Sequence, residues 1–252
     1  SPNQHNQSNP ISLDFTELQF NVMNDLRSKL LAETTGRKFT KEQIRRILNY
    51  PAQNEKQIRQ ASLYLATASS HYMRLIFYMA SMLTLDNTLT PINITEKDVN
   101  TKGFKDSYNR GNKYVERFNV KHELLKVLLI VMIEDVYFGY ERATKDSSML
   151  QRLPSDKCRI TGAEDGIFTF QFDMSYFDSD VALLKNYAPE FKNLYAIYNR
   201  TSQPWQQLNP KHAVCFKFRE DLPYALPPFT SIFEDLIGLE DLKDLEDARN
   251  KL

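Results

Sequence analysis

The residues best suited to chemistry lie close together between Arg152 and Asp180. This stretch contains one thiol and several carboxylates: Cys158, Glu164, Asp165, Asp173, Asp178 and Asp180. Clustered carboxylate oxygens are the ligands that Mg²⁺ and Ca²⁺ prefer, so a hard-metal site is one interpretation. The last three acids follow the pattern D-x4-D-x-D, which does not match a calcium loop with ligands at every second position and glycine at the sixth.

Local backbone roles account better for the same acids. Asp165 precedes Gly166 in a predicted turn, where aspartate is common because its side chain bonds nearby backbone groups. Asp178 and Asp180 stand before a predicted helix, whose first amides they can cap. We therefore predict no metal-binding residue, no cofactor and no cofactor-binding residue here.

Histidine and cysteine give no recognisable catalytic pair. The histidines are His5, His71, His122 and His212, and none falls in a Ser/His/Asp or Cys/His signature. His212 is three residues from Cys215, but side chains at i and i+3 of a strand point to opposite faces. The chain also lacks H-E-x-x-H, Walker A, G-x-G-x-x-G and C-x-x-C patterns. We therefore predict no catalytic residue and a protein that is not an enzyme.

Charge is separated along the chain although its total is zero. Basic and acidic residues each number 32, so the chain as a whole has no polyanion-binding signature. Segment 27–60 has nine basic against three acidic residues, 102–126 has seven against three, and 229–252 reverses this with seven acidic against three basic. Such segments are either solvated helix faces or surfaces whose charge is complementary to that of a neighbouring copy, another protein or DNA.

Nucleic-acid binding depends on the two basic segments. Arg45, Arg46 and the cations of 102–126 have a spacing that could follow phosphates. Three aromatic residues are interleaved with the second segment: Tyr108, Tyr114 and Phe118. Aromatic residues at helical spacing are more often part of a core, and the chain has no helix-turn-helix, RNA-recognition or zinc-finger pattern.

The elements that must position these residues are helices, then short strands, then helices. Apolar spacing and capping signals, including a Thr40–Gln43 capping box, predict helices over 13–31, 40–50, 54–84, 102–118 and 121–135. Segment 92–99 is predicted to be extended or loop. β-branched and aromatic runs predict strands at 136–143, 150–154, 158–161, 166–172 and 212–218. Further helices are predicted over 179–200, with Pro189 in a first turn, over 229–237, and from 239 onwards after a break at Gly238. This order indicates an α+β fold: several long helices followed by a small antiparallel sheet and further helices.

Apolar runs and thiols both indicate a buried interior. Segments 72–85 and 124–133 are shorter than the ~20 residues that span a bilayer, so we predict core helices and no membrane partner. Cys158 and Cys215 lie in strand-like runs and are predicted to be reduced, buried thiols, as in a reducing compartment.

A β-hairpin with glycine at both ends of its turn is predicted around 161–167. Alternation along its second strand places Phe168, Phe170 and Phe172 on one face, and Ile167, Thr169 and Gln171 on the other. We predict that the aromatic face packs on helices such as 121–135.

A succession of segments resembles one lineage of portal (head–tail connector) proteins of tailed bacteriophages. The segments are, in order, "EDVYFGYERATKDSSMLQRLPSDKCRITG", "GIFTFQFDMSYFD", "YAPEFKNLYAIYNR" and "AVCFKFREDLPYALPPFTSIFEDLIGLEDLKDL". Upstream, "IRRILNYPAQNEKQIRQASLYLATASSHYMRLIFYMASML" is similar to the early helices of that family. The resemblance covers roughly residues 40–252, and its motifs are packing and turn motifs.

The resemblance implies a homo-oligomeric ring, commonly of twelve subunits, at one vertex of a virion assembled in the host cytoplasm. Double-stranded DNA is packaged and ejected through such a ring, whose partners are the major capsid and scaffolding proteins, terminase and the tail adaptor. The order of elements divides the chain into a disordered lead-in (1–12), a mainly helical part (13–135), a part with a small sheet and helices (136–238), and the start of a longer helix (239–252). The resemblance implies that the third part is wing-like and that the last is stem-like. No clip, tunnel-loop or crown segment is recognised, so no residue that contacts DNA, terminase or adaptor is carried over.

Two alternatives of other classes stay open. The first is a carboxylate-metal-dependent, nuclease-like enzyme built on Asp173, Asp178 and Asp180. The second is a nucleic-acid-binding adaptor that uses the basic faces of 27–60 and 102–126.

Overall fold

The chain folds into helices followed by short antiparallel strands, which confirms the predicted α+β class. The computed structural model describes residues 26, 30, 38–83, 86–144, 147–164 and 167–249, except for the side chains at 96, 164 and 243–248. Its helices are α1 (Lys41–Leu48), α2 (Glu55–Ala68), α3 (Ser70–Ser81), α4 (Glu96–Val99), α5 (Lys102–Phe118), α6 (Val120–Glu134), α7 (Pro189–Thr201) and α8 (Phe233–Arg249). Its strands are β1 (Val136–Ala143), β2 (Ser148–Arg152), β3 (Cys158–Glu164), β4 (Ile167–Asp173), β5 (Trp205–Gln207) and β6 (Ala213–Lys217). The predicted lead-in lies outside the described residues; of the helix predicted over 13–31, Leu26 and Leu30 are described and helical.

Capping residues set the boundaries of the first helices. Thr40 and Gln43 form the predicted capping box of α1, with side-chain oxygens that accept from each other's amides at 3.2 and 3.0 Å. The single helix predicted over 54–84 was wrong, because α2 and α3 are separate helices. Ser69 is extended between them and its hydroxyl accepts from the Tyr72 amide. A serine that caps in this way competes with continuation of the helix, which the apolar spacing alone does not reveal.

Two other segments differ in secondary structure from the prediction. Within 92–99, which was predicted to be extended or loop, α4 forms because Thr95 and Asp98 make a capping box. Of the helices predicted over 179–200, the part before Pro189 is instead a 3₁₀ turn at Val181–Asn186. Helix α7 follows and begins with Pro189 as predicted.

The last helix passes through Gly238 without interruption, so the predicted break there was wrong. A Cβ built at this position would lie 2.5 Å from the end of the Lys41 side chain. The end of a lysine side chain can move aside, so this contact does not by itself require glycine.

The strands form two three-stranded sheets within the described chain. In the first sheet the order is β2-β1-β6, and in the second it is β3-β4-β5, with every pair antiparallel. The predicted β3–β4 hairpin is present, but Gly162 lies inside β3 at a shift of register and not in the turn. Residues 165 and 166 of the predicted turn lie outside the described residues. Strand β5 was not predicted from the sequence.

Strand β1 separates two buried clusters. Its residues Val136, Phe138 and Tyr140 belong to the cluster formed with the second sheet and α7. Tyr137 points the opposite way, into the cluster formed by the helices. Gly139 follows on the same face as Tyr137, and a Cβ there would lie 2.5 Å from the tyrosine ring. The strand thus needs glycine at this position so that the ring can lie flat against it.

The aromatic face of the hairpin is buried, but against a different partner from the one predicted. Phe170 and Phe172 are buried, whereas Ile167 on the other face is 69% exposed. The Phe170 ring packs 4.9 Å from that of Phe138 in β1, and the Phe172 ring lies 5.6 Å from that of Phe191 in α7. Packing on helix 121–135 was wrong, because the buried residues of that helix belong to the other cluster.

Helix α6 is the centre of the helical cluster. Its apolar residues include Leu125, Leu129 and Ile133, all fully buried. The Ile133 carbonyl accepts from the hydroxyl of Ser62 in α2, which also contacts the Tyr72 hydroxyl of α3 at 2.7 Å. Within the described parts of the chain, no helix is long and apolar enough to cross a membrane.

A buried ion pair fixes the passage from α6 to β1. Asp135 has a left-handed backbone (φ 68°), which aspartate tolerates better than most residues, and its side chain is fully buried. Its carboxylate accepts from the Lys217 ammonium at 2.9 Å and from the amides of Arg219 and Leu226 at 2.8 and 2.9 Å. Burial raises the pKa of Asp135, and these donors oppose that shift.

We expect Lys217→Met to lower the free energy of unfolding by about 3–5 kcal/mol, because it leaves the Asp135 carboxylate buried without its cation. In the double variant Asp135→Asn/Lys217→Met the single amide oxygen can accept from one of the two backbone amides, and no buried charge remains. The double variant should therefore be less destabilised than the sum of the two single variants, as measured by urea unfolding followed by circular dichroism. Strictly additive effects would contradict a coupled pair.

Candidate functional site

Asp173 has a structural role at the end of the hairpin. Its Oδ1 accepts from the Ser175 amide at 3.0 Å and caps the 3₁₀ turn Met174–Phe177, while its Oδ2 accepts from the Lys157 ammonium at 3.0 Å. Burial alone would raise the pKa of Asp173, but these hydrogen bonds outweigh it and hold the pKa below its ordinary value. Both carboxylate oxygens are therefore already occupied.

Asp178 and Asp180 point to different partners. Asp180 caps the 3₁₀ turn after it by accepting from the Ala182 amide at 2.9 Å, as predicted. Asp178 does not cap that turn; it accepts from the hydroxyls of Tyr195 and Tyr198 in α7 at 3.1 and 2.9 Å. Asp165 and the side chain of Glu164 lie outside the described residues. Among the residues that are described, no three His, Cys, Asp or Glu side chains are grouped so that they could hold a metal ion.

The thiols are free and far from ionisation. Cys158 is buried and Cys215 is half-buried. Burial raises the pKa of the Cys158 thiol well above its ordinary value and that of Cys215 to about 12. Because the thiolate is the nucleophilic form, neither thiol is prepared for catalysis. His212 lies on the exposed side, with Nδ1 3.8 Å from a carboxylate oxygen of Glu141.

The other described histidines, His71 and His122, lie on helices. His71 is exposed on α3. His122 contacts the neighbouring Glu123, with 2.9 Å between Nδ1 and Oε1. His5 lies outside the described residues.

Two buried carboxylates of α6 were not singled out from the sequence. Glu123 accepts from the Leu150 amide of β2 and the Lys126 ammonium, both at 2.7 Å. Burial would raise the pKa of Glu123, but hydrogen bonds outweigh it and the pKa is lowered. Glu134 accepts from Arg152 and from the Ser155 hydroxyl. Acidic residues inside an otherwise apolar helical run were the available signal, since such charges are buried only with partners.

The basic helix α5 lies at the surface and contains no buried residue. Lys102, Lys105 and Lys113 form no ion pair with any described residue and are exposed. None of its aromatic residues is fully buried, although Phe118 is half-buried and packs against the helical cluster. They stack in pairs, Phe104 on Tyr108 and Tyr114 on Phe118, with ring centres 5.8 and 6.1 Å apart.

Part of the charge separation is matched within the chain. Arg45 of α1 donates to Glu234 of α8 at 2.7 Å, so the first basic segment meets the acidic one. Helix α8 begins in the core with Phe233, Leu236 and Ile237, all buried. Beyond Gly238 the apolar residues emerge: Leu239 is 50% exposed and Leu242 is 60% exposed.

Comparisons with known proteins give no further assignment. Neither protein-family models, nor curated proteins, nor solved structures gave a match to this chain.

We expect Asp173→Ala to lower the free energy of unfolding at neutral pH by about 1 kcal/mol, through loss of the cap. The pKa of Asp173 is lowered on folding, so its stabilising contribution is present above the pKa of the unfolded chain and disappears as the pH falls through the folded-state pKa. The stability difference between wild type and variant should therefore shrink in acid, as urea titrations at a series of pH values would show.

Asp173→Asn is the matched control, because asparagine keeps an oxygen that can accept from the Ser175 amide. It should retain most of the stability at neutral pH. A separate measurement tests the carboxylate-metal hypothesis. If Mg²⁺ or Mn²⁺ raised the melting temperature of the wild type but not of Asp178→Ala, the structural roles of Asp173 and Asp178 would not fully account for these carboxylates, and that hypothesis would gain support.

Proposed function

We propose that this chain is a structural subunit of a homo-oligomeric ring, of the kind that its resemblance to portal proteins implies. In that role it surrounds a channel for double-stranded DNA at a capsid vertex and performs no catalysis. Its partners are then further copies of itself, capsid and scaffolding proteins, terminase and a tail adaptor. The observation that carries the proposal is the exposure of Leu239 and Leu242 in the part of α8 that follows Gly238.

An exposed pair of leucines on one face of α8 favours a packing partner. Leu239 and Leu242 are three positions apart, so they are neighbours on the helix surface. They follow directly after buried residues of the same helix, which hold its first turns in the core. Apolar side chains exposed next to each other gain free energy when another surface covers them.

The charges favour a head-to-tail arrangement of copies. The basic face of α5 and the acidic residues of α8 lie on different elements, and Lys102, Lys105 and Lys113 have no ion pair among the described residues. A contact between two different surfaces of the same chain is heterologous, and such contacts form rings when the rotation closes. Opposite charges on the two surfaces would also orient the encounter.

We expect the chain to form oligomers in a concentration series followed by light scattering after size exclusion, with rings visible by negative-stain electron microscopy. Leu239→Lys/Leu242→Lys should dissociate them, because it places charge where apolar contact is needed. Ile167→Lys is the matched control, since Ile167 is also exposed but lies on β4. A chain that stays monomeric throughout, or oligomers that are indifferent to the leucine variant, would contradict the proposal.

A nucleic-acid-binding adaptor is the second candidate, favoured by the unpaired lysines of α5. If they contact phosphates, affinity for duplex DNA should fall steeply with salt, and Lys102→Ala/Lys105→Ala/Lys113→Ala should reduce both the affinity and the salt slope. Fluorescence anisotropy with labelled duplex at several salt concentrations measures both quantities. Absence of binding at low salt would eliminate this candidate.

A further inference from the structure

A cavity of about 400 Å³ lies between the helical part and the strands. Its walls come from α2, β1, β3 and segment 223–225. Apolar side chains form much of the lining, including Val136, Phe138, Ile160 and Ala225. A cavity of this volume with a few polar groups is in the range that binds small molecules.

The polar group that distinguishes this cavity is Arg59 of α2. Its side chain is only 6% exposed, and Nε has no hydrogen-bond partner among the described residues. The nearest carboxylate oxygens belong to Glu55, 3.8 Å from Nε, and to Asp156, 3.6 Å from a terminal nitrogen. These carboxylates lie near enough to balance the charge but too far to accept hydrogen bonds.

Asp156 is occupied by other donors. Its Oδ2 accepts from the Gln60 amide at 3.0 Å and lies 3.3 Å from the Lys56 ammonium. The Nε–H of this buried guanidinium is therefore a directed donor that no described residue satisfies. Leaving such a group unpaired costs free energy, which a bound acceptor would recover.

Other charged or reactive residues of the lining do not change this conclusion. Arg159 stacks on Trp205, 4.4 Å from its ring centre, and donates to Gln171 across the strand pair. Because side chains alternate along a strand, Arg159 points to the face of β3 opposite to that of Cys158 and Ile160. Its charge is therefore engaged on that opposite face. Cys158 contributes a neutral, buried thiol.

We propose that this cavity binds a small molecule through an oxyanion group, a carboxylate or a phosphate, held by Arg59. The planar fork of a guanidinium matches two oxygens of such a group, and the apolar lining accommodates a hydrocarbon or ring attached to it. Lys56, which is largely exposed beside Asp156, adds a cation at the mouth. This site goes beyond the proposed ring function and does not require that copies of the chain assemble.

Calorimetric titration with two probes, inorganic phosphate and benzoate, tests the site at constant ionic strength. We expect saturable binding of at least one probe to the wild type. Arg59→Met should weaken it about tenfold or more, as loss of a charge-assisted hydrogen bond predicts. Arg74→Met is the matched control, because Arg74 is exposed on α3 and should leave the affinity unchanged.

Arg59→Lys keeps the positive charge beside Glu55 and Asp156, so it tests the site even if Arg59→Met does not fold. It should bind more weakly than the wild type, because lysine lacks the planar fork. The probes should also raise the melting temperature of the wild type more than that of either Arg59 variant.

Tighter binding of phosphate would indicate a phosphorylated ligand, and tighter binding of benzoate a carboxylate with an apolar body. Binding of neither probe, or equal binding to wild type and a folded Arg59 variant, would overturn the proposal. Ring formation by the same samples is a separate measurement, so the two proposals fail independently.

Discussion

The buried carboxylate of Asp135 is the constraint on which the rest of the structure depends. Its left-handed backbone ends α6 and turns the chain into β1, while its side chain binds Lys217 and two amides of the segment that follows β6. One residue thus ties the end of α6 to segment 217–226, which is more than 80 positions away in sequence. A charge buried in this way is tolerated only when its partners are all in place, so the junction has one arrangement.

The position of β1 determines where both clusters form. Because alternate side chains of a strand point to opposite faces, Phe138 and Tyr137 enter different clusters. The bond from Leu226 to Asp135 also sets the course of the chain towards α8, whose Phe233 ring packs edge-on against Tyr72 at 5.7 Å. The cavity lined by Arg59 lies at the same boundary between the helices and the strands.

Local signals in the sequence predicted most of the fold, and long-range contacts explain what they missed. The Thr40–Gln43 capping box, the polar helix 102–118 and the alternation around Phe170 depend on neighbours in sequence, and the structure contains each of them. Helix α8 continues through Gly238, and the partner of Asp178 is α7, neither of which a local pattern specifies. In the sequence Arg59 was one cation of the basic segment 27–60. Its burial was not predicted, because it follows from packing against the strands.

Buried and exposed features of the chain are linked through α8. Its first turns are held by Tyr72 and by the Arg45–Glu234 ion pair, so its direction is fixed before it leaves the core. Leu239 and Leu242 are therefore presented on a rigid support and not on a loop, which reduces the entropy that a partner must overcome on binding. Such preorganisation suits repeated contacts between identical copies, since every copy offers its leucines in the same orientation relative to the junction at Asp135.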